Sequence, residues 1–248
     1  MTGFLRNCLV LSLLAIGIVV FSPMANATIL GLGPCPATAN GQTSVPCDAT
    51  ASPFGTLLAS LSAPFTSSLG TSSGTLISAV YRESGGTLDF YYQVVENLTA
   101  PNCGGGGQPA CDPISRETDT NFATWLTQLA FRTNGAAGGG GDPFANGTVQ
   151  PQTSDRNAAP GDVIGFGFNA GPFPAPIQPG QTSFVLIIST NATFFTAGNA
   201  SVIDGGVTTV ASFQPSSGVP EPASLALVGL GLVALGGLRR RIKTRRGV

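Results

Sequence analysis

TLISAVYRESGGTLDFYYQVV, residues Thr75 to Val95, decides the fold. Two runs rich in β-branched and aromatic residues, Thr75–Tyr81 and Thr87–Val95, flank the turn-forming stretch Glu83-Ser84-Gly85-Gly86. In the second run Leu88, Phe90, Tyr92 and Val94 fall on one face, and Asp89, Tyr91 and Gln93 on the other. Successive side chains of a strand point to opposite faces, so this alternation predicts a β-hairpin with one buried and one solvated face. On that reading Asp89 and, at the strand end, Glu96 are solvated surface carboxylates, because acidic side chains are mostly exposed.

Further strands follow outward from the hairpin. Trp125–Thr133 (WLTQLAFRT) puts Trp125, Leu129 and Phe131 on one side. A short helix is the alternative there, since Trp125 and Leu129 are also i, i+4. Asp162–Phe168 alternates Ile164, Phe166 and Phe168, and Thr182–Ser189 (TSFVLIIS) is apolar on both faces, as in the centre of a sheet. Thr193–Phe195 and Val207–Phe213 complete the set. Between them lie breakers: Gly104–Gly107, Gly138–Gly141, and Gly171–Gly180 with its four prolines. About seven or eight short strands with such turns predict an antiparallel β-sandwich. No internal repeat of fixed period is present.

Both ends of the chain read as addresses. Met1–Ala27 has a positive n-region at Arg6, an apolar stretch Cys8–Phe21, and a small-x-small site at Ala25-Asn26-Ala27. These are the parts of a secretory signal peptide cleaved before Thr28. Cys8 stands at the start of the apolar stretch and not after it, so it is not a lipoprotein cysteine. The other end, Val219–Val248, reads VPEPASLALVGLGLVALGGLRRRIKTRRGV. Pro220 and Pro222 fix φ and lack an N–H, which keeps Val219-Pro220-Glu221-Pro222 extended and accessible. Ala223–Leu238 carries no charge over 16 residues. That is short of the roughly 20 a full span wants, a gap that snorkelling side chains can cover. Arg239, Arg240, Arg241, Lys243, Arg245 and Arg246 follow at once. They put this end in the cytoplasm and the body across the membrane. The basic block argues against a glycolipid-anchor signal, because such tails end in the apolar stretch. A plain single-span anchor is the alternative reading of the same features.

The order Val-Pro-Glu-Pro, apolar helix, arginine cluster resembles the PEP-CTERM sorting signal of bacterial surface proteins. The resemblance covers Val219 to about Arg246. It implies recognition by an exosortase at the inner membrane, removal of the tail near the motif, and release or attachment of the body at the cell surface. It also implies a setting of exopolysaccharide or biofilm matrix. The hairpin GTLDFYYQVVEN (Gly86–Asn97) and PGQTSFVLIISTNAT (Pro179–Thr193) look like the bodies of many such proteins.

The expected organisation is therefore a signal peptide (1–27), an extracytoplasmic β-sandwich (28–218), and a sorting and anchor segment with one transmembrane helix (219–248). The sandwich carries four basic residues against eleven acidic ones, a net charge of −7. Nucleic acid needs a basic surface, so it is not an expected partner. With Cys8 removed, Cys35, Cys47, Cys103 and Cys111 remain. An even count in a secreted chain predicts disulfides. Three pairings exist, and Cys35–Cys47 with Cys103–Cys111 is favoured because each closes a short Gly/Pro-rich loop.

Little in the sequence supports catalysis. Gly70-Thr71-Ser72-Ser73-Gly74 matches Gly-x-Ser-x-Gly, but a serine nucleophile needs a histidine and the chain contains none. A turn before the Thr75 strand is the better reading. Without histidine, near-neutral acid–base catalysis and most transition-metal sites also lose their usual residue. A glycosidase pair of Asp89 and Glu96 is the enzymatic alternative. Asp112, Glu117 and Asp119 offer hard oxygens for calcium, but a polar loop is favoured because no known ligand spacing is present. Gly138–Asp142 is a single Gly/Asp turn, whereas calcium-binding versions work as repeats. Asn97, Asn146, Asn191 and Asn199 begin sequons that chance also produces in Asn- and Thr-rich sequence. Tyr91, Tyr92 and Trp125 would stack on sugars if exposed, but core burial is the favoured expectation. The body is expected to be non-enzymatic, with no cofactor and no metal, and to associate with exopolysaccharide. A permanently anchored adhesin is the third reading.

Overall fold

The computed structural model describes residues 35–135, 142–169 and 176–218. The signal peptide with Ala25 and Ala27, the Gly138–Gly141 run, the sorting motif Val219–Pro222, the apolar segment and the basic cluster lie outside the described residues. Among the described residues, twelve strands form two six-stranded sheets. The first contains β2 (Cys47–Asp48), β7 (Thr127–Arg132), β10 (Val185–Thr190), β5 (Leu88–Glu96), β4 (Ser73–Arg82) and β3 (Thr56–Thr66), in that order. The second contains β1 (Thr43–Ser44), β8 (Thr153–Arg156), β9 (Ile164–Gly167), β6 (Arg116–Asp119), β11 (Phe194–Ile203) and β12 (Val207–Ser216). Every pairing is antiparallel except β2 with β7. Among the described residues there is no α-helix, and none long and apolar enough to cross a membrane.

The decisive hairpin forms as read: β4 and β5 pair from Gly74↔Glu96 to Arg82↔Leu88. The apolar run of β10 is central, with β5 on one side and β7 on the other. Trp125 sits half-buried in the turn before β7, and the segment that follows is strand, not helix. Ile164, Phe166 and Phe168 enter the core between the sheets with Phe90, Tyr92 and Leu186. Tyr92 also spans the two layers, its hydroxyl donating to the Phe213 carbonyl at 2.8 Å.

The expected solvated face of β5 does not exist. Tyr91 joins a second apolar layer on the outer side of its sheet, with Cys35, Ala49, Phe144 and Ile187. Segments before β3 and after residue 141 cover that face, so Asp89 and Gln93 are buried too. Gln93 is matched to its cover: its amide nitrogen donates to the Ala145 and Ser183 carbonyls, and its oxygen accepts from the Ala145 N–H. The covering strap is itself tied down by Cys35–Cys47, and Cys103–Cys111 closes the loop between β5 and β6. These are the favoured pairings. They span 12 and 8 residues in sequence.

The strand count exceeds the expected one: β1, β2, β6 and β8 are too short to carry apolar alternation, and β3, which alternates Leu57, Ala59, Leu61, Ala63 and Phe65 with mostly polar neighbours, is a further strand. β3 contains Pro64 and is tolerated as a sheet edge, where a missing N–H costs no ladder bond. The Gly70–Gly74 stretch is a turn leading into β4, with Gly70 at φ 68°. At Gly74 a Cβ would stand 2.1 Å from the Val95 carbonyl oxygen, so the strand pairing itself requires glycine.

Candidate functional site

The body's charged chemistry is concentrated in carboxyl groups taken out of water. Asp89, Glu96, Glu117 and Asp119 are 1%, 2%, 0% and 1% exposed. None of them has a salt-bridge partner; among the described residues the one ion pair is Arg116–Asp155, bidentate at 2.6 and 2.7 Å. A buried carboxylate without a cation is costly, and the usual escape is to hold its proton. The four residues fall into three settings.

Asp89 lies on the outer face of β5. It accepts a 2.6 Å hydrogen bond from the Ser189 hydroxyl and lies in hydrogen-bond contact with Glu83. Burial pushes the Asp89 carboxyl well up, and the Glu83 charge adds to the shift. Glu83 lines an open surface cleft with Pro53, Phe54, Thr56, Arg82 and Ser84. Behind it Arg132 is buried, its guanidinium 3.7 Å from the Phe54 ring centre and donating to the Ser52 carbonyl at 2.7 Å. Phe54, Tyr81 and Tyr91 pack as a triad with centroids 4.7–5.4 Å apart. Burial raises both tyrosine hydroxyls, and Tyr81 donates to Asp142 at 3.1 Å. Every ring in this cluster is engaged by another, so Tyr91 is no sugar platform.

Glu96 closes the other end of β5. Burial raises its carboxyl to about 8, helped by the charges of Asp204 and Asp112. Asp112 and Asp204 border a small cavity with Ser67, Ser68, Thr71 and Gly206. Asp89 and Glu96 are seven residues apart on one strand, about 23 Å, and on opposite faces. They cannot work as a pair.

Glu117 and Asp119 form the third setting, inside the sandwich. The expected polar loop is strand β6, so Glu117 and Asp119 are separated from Asp112 and do not share a site with it. No group of three or more His, Cys, Asp or Glu side chains among the described residues is placed to hold a metal ion. Both residues stand out in the sequence as hard oxygens, but their burial on a strand does not, because a four-residue run reading RETD has no apolar signal. Its only visible cue is the alternation Arg116, Glu117, Thr118, Asp119, which places the two acids on one face.

Tyr92 is fully buried, like Tyr91, which leaves half-buried Trp125 as the one accessible member of the aromatic set. Of the sequon residues, Asn97 and Asn199 are exposed, while Asn191 accepts the Leu126 N–H at 2.9 Å. The last strand, β12, ends at Ser216, and the described fold stops at Gly218. Residues 218–241 match the family model of the PEP-CTERM protein-sorting motif. No curated protein and no solved structure matches the chain.

Proposed function

We propose that this chain, a PEP-CTERM protein by its motif at residues 218–241, is an exported exosortase substrate whose body is a non-enzymatic surface or matrix domain. One observation carries the reading: the motif begins two residues after the last strand ends, where the sandwich is already complete. A cut near Pro220–Pro222 therefore removes no described strand. The basic residues Arg239–Arg246 hold the tail in the inner membrane until then. The body, net negative and stapled by two disulfides, suits an oxidising extracytoplasmic setting. Association with exopolysaccharide rests on the family resemblance and on no residue of the body.

The glycoside-hydrolase alternative requires two carboxyls about 5–9.5 Å apart across a substrate cleft. Glu83 and Asp89 are already in hydrogen-bond contact, and Asp89 and Glu96 face opposite sides of a sheet. Neither pair has that spacing. The test is replacement of Pro220, Glu221 and Pro222 by alanine, followed by cell fractionation. The reading expects the variant to stay in the inner membrane while the parent reaches the surface. Identical distribution of the two would refute it.

A further inference from the structure

Cα partners across antiparallel strands share a face. Glu117 is paired with Phe166 on β9 and Val202 on β11, and Asp119 with Ile164 and Ala200. All four partners belong to the core between the sheets, so both carboxyls point into it. They sit two residues apart, about 6.7 Å along the strand. No N–H donor reaches their four oxygens, and the Tyr92 hydroxyl beside Asp119 gives its proton to the Phe213 carbonyl at 2.8 Å. Two carboxylates have no proton to offer each other, yet these two groups stand in hydrogen-bond contact. Only a proton held between them gives that contact a donor.

We propose that Glu117 and Asp119 form a proton-sharing pair that locks the two sheets together at acid to neutral pH and loosens them when the pair ionises. Cationic compensation is weak: Arg156 of β8 also faces inward but gives its donors to Gly161, Phe122 and Thr127, and Arg116 eases only the Glu117 charge. Arg116, the nearest, is on the other face of β6 and committed to Asp155 on β8. Strands β9, β11 and β12 bring no titratable side chain. From the opposite sheet, β5 brings Tyr92, whose hydroxyl adjoins Asp119 and is itself raised by burial, and, four residues further along the same face, Glu96. Tyr81 and Arg82 of β4 are, respectively, in the outer layer and exposed, and β10 is uncharged. Ionisation therefore places like charges in an apolar layer, where separating the sheets is the only relief.

The sign follows from linkage. Burial raises Glu117 to about 7 and Asp119 well above the usual carboxylate range. Below the unfolded-state values, near 4, both states hold the protons and the pair costs nothing. As pH rises past them the unfolded chain loses its protons first, so stability falls until the folded pair has ionised too. Each linked proton lowers the folding equilibrium constant by up to about tenfold per pH unit in that window.

The test uses the full chain in detergent micelles, with thermal and denaturant unfolding followed from pH 5 to 9. The parent should lose stability as pH rises. E117Q/D119N, which removes both protons from the balance while keeping shape, should flatten that loss and exceed the parent at pH 9. Carbon NMR of carboxyl-labelled parent protein reads the two groups separately and does not depend on the variant folding; both should titrate above the range of exposed acids. The proposal is overturned if Glu117 and Asp119 titrate near 4, or if a folded variant keeps the parent's pH dependence. It is also overturned if calcium at pH 8 stabilises the parent and not the variant, since the pair would then be a cation site.

Discussion

Replacing Arg156 by methionine tests how the two sheets are joined. Arg156 ends β8 in one sheet and is buried. Its Nε donates to the Gly161 carbonyl at 2.8 Å, one terminal nitrogen to the Phe122 carbonyl at 2.6 Å, and the other to the Thr127 hydroxyl at 3.2 Å. Thr127 begins β7 in the opposite sheet, and its hydroxyl reaches on to the Thr38 carbonyl. One side chain thus ties both layers and the N-terminal strap. Methionine keeps the stem and removes every donor. The Phe122 carbonyl retains the Trp125 N–H, so Gly161 is the acceptor left most exposed to loss. An orphaned buried acceptor costs about 1–3 kcal/mol, and the lost charge-assisted bonds bring the total to about 3 kcal/mol. For a domain of this size that is roughly 6–12 °C in Tm. Denaturant unfolding should show a lower midpoint with an unchanged slope. Arg156→Lys should fall between the two, because an ammonium cannot serve all three directions at once. A loss below about 0.5 kcal/mol, typical of a surface site, would refute the reasoning.

Three further outcomes follow from the same structure. Reducing either disulfide should cost about 3 kcal/mol, from the loop-closure entropy of 12- and 8-residue separations; peptide mapping without reductant should recover Cys35 with Cys47 and Cys103 with Cys111. Gly74→Ala should destabilise by at least about 2 kcal/mol, since the new methyl meets the Val95 carbonyl oxygen and the Phe65 ring; a neutral thermal shift would contradict that close approach. Glu96 is raised to about 8, so its contribution is full below pH 4 and lost as pH rises through 8; Glu96→Gln should gain on the parent at pH 9 relative to pH 5, and equal pH profiles would count against it.

Much of the fold was legible because the long central strands obey simple patterns. β5 alternates, β10 is apolar on both faces, and β9 places Ile164 and Phe166 on one side. What the pattern could not convey was the second layer over β5. Asp89 and Gln93 look like outward residues until the strap around Ala49 and the Phe144 segment are laid on them, and that is a tertiary event with no local signal. The short strands β6 and β8 were invisible for a related reason. Their inward residues are Glu117, Asp119, Ser154 and Arg156, and burial of polar groups reverses the rule that reveals a strand. The disulfide pairing was legible because short separations limit the geometry. The sorting segment was legible because its three features occur in a fixed order, independent of the fold.

The most direct test of the account is the mass of the mature C-terminus from native cells, with and without the exosortase. The account predicts an end near Pro220–Pro222 only when the enzyme is present. An intact Val248 in both would contradict it and leave a domain permanently anchored in the membrane.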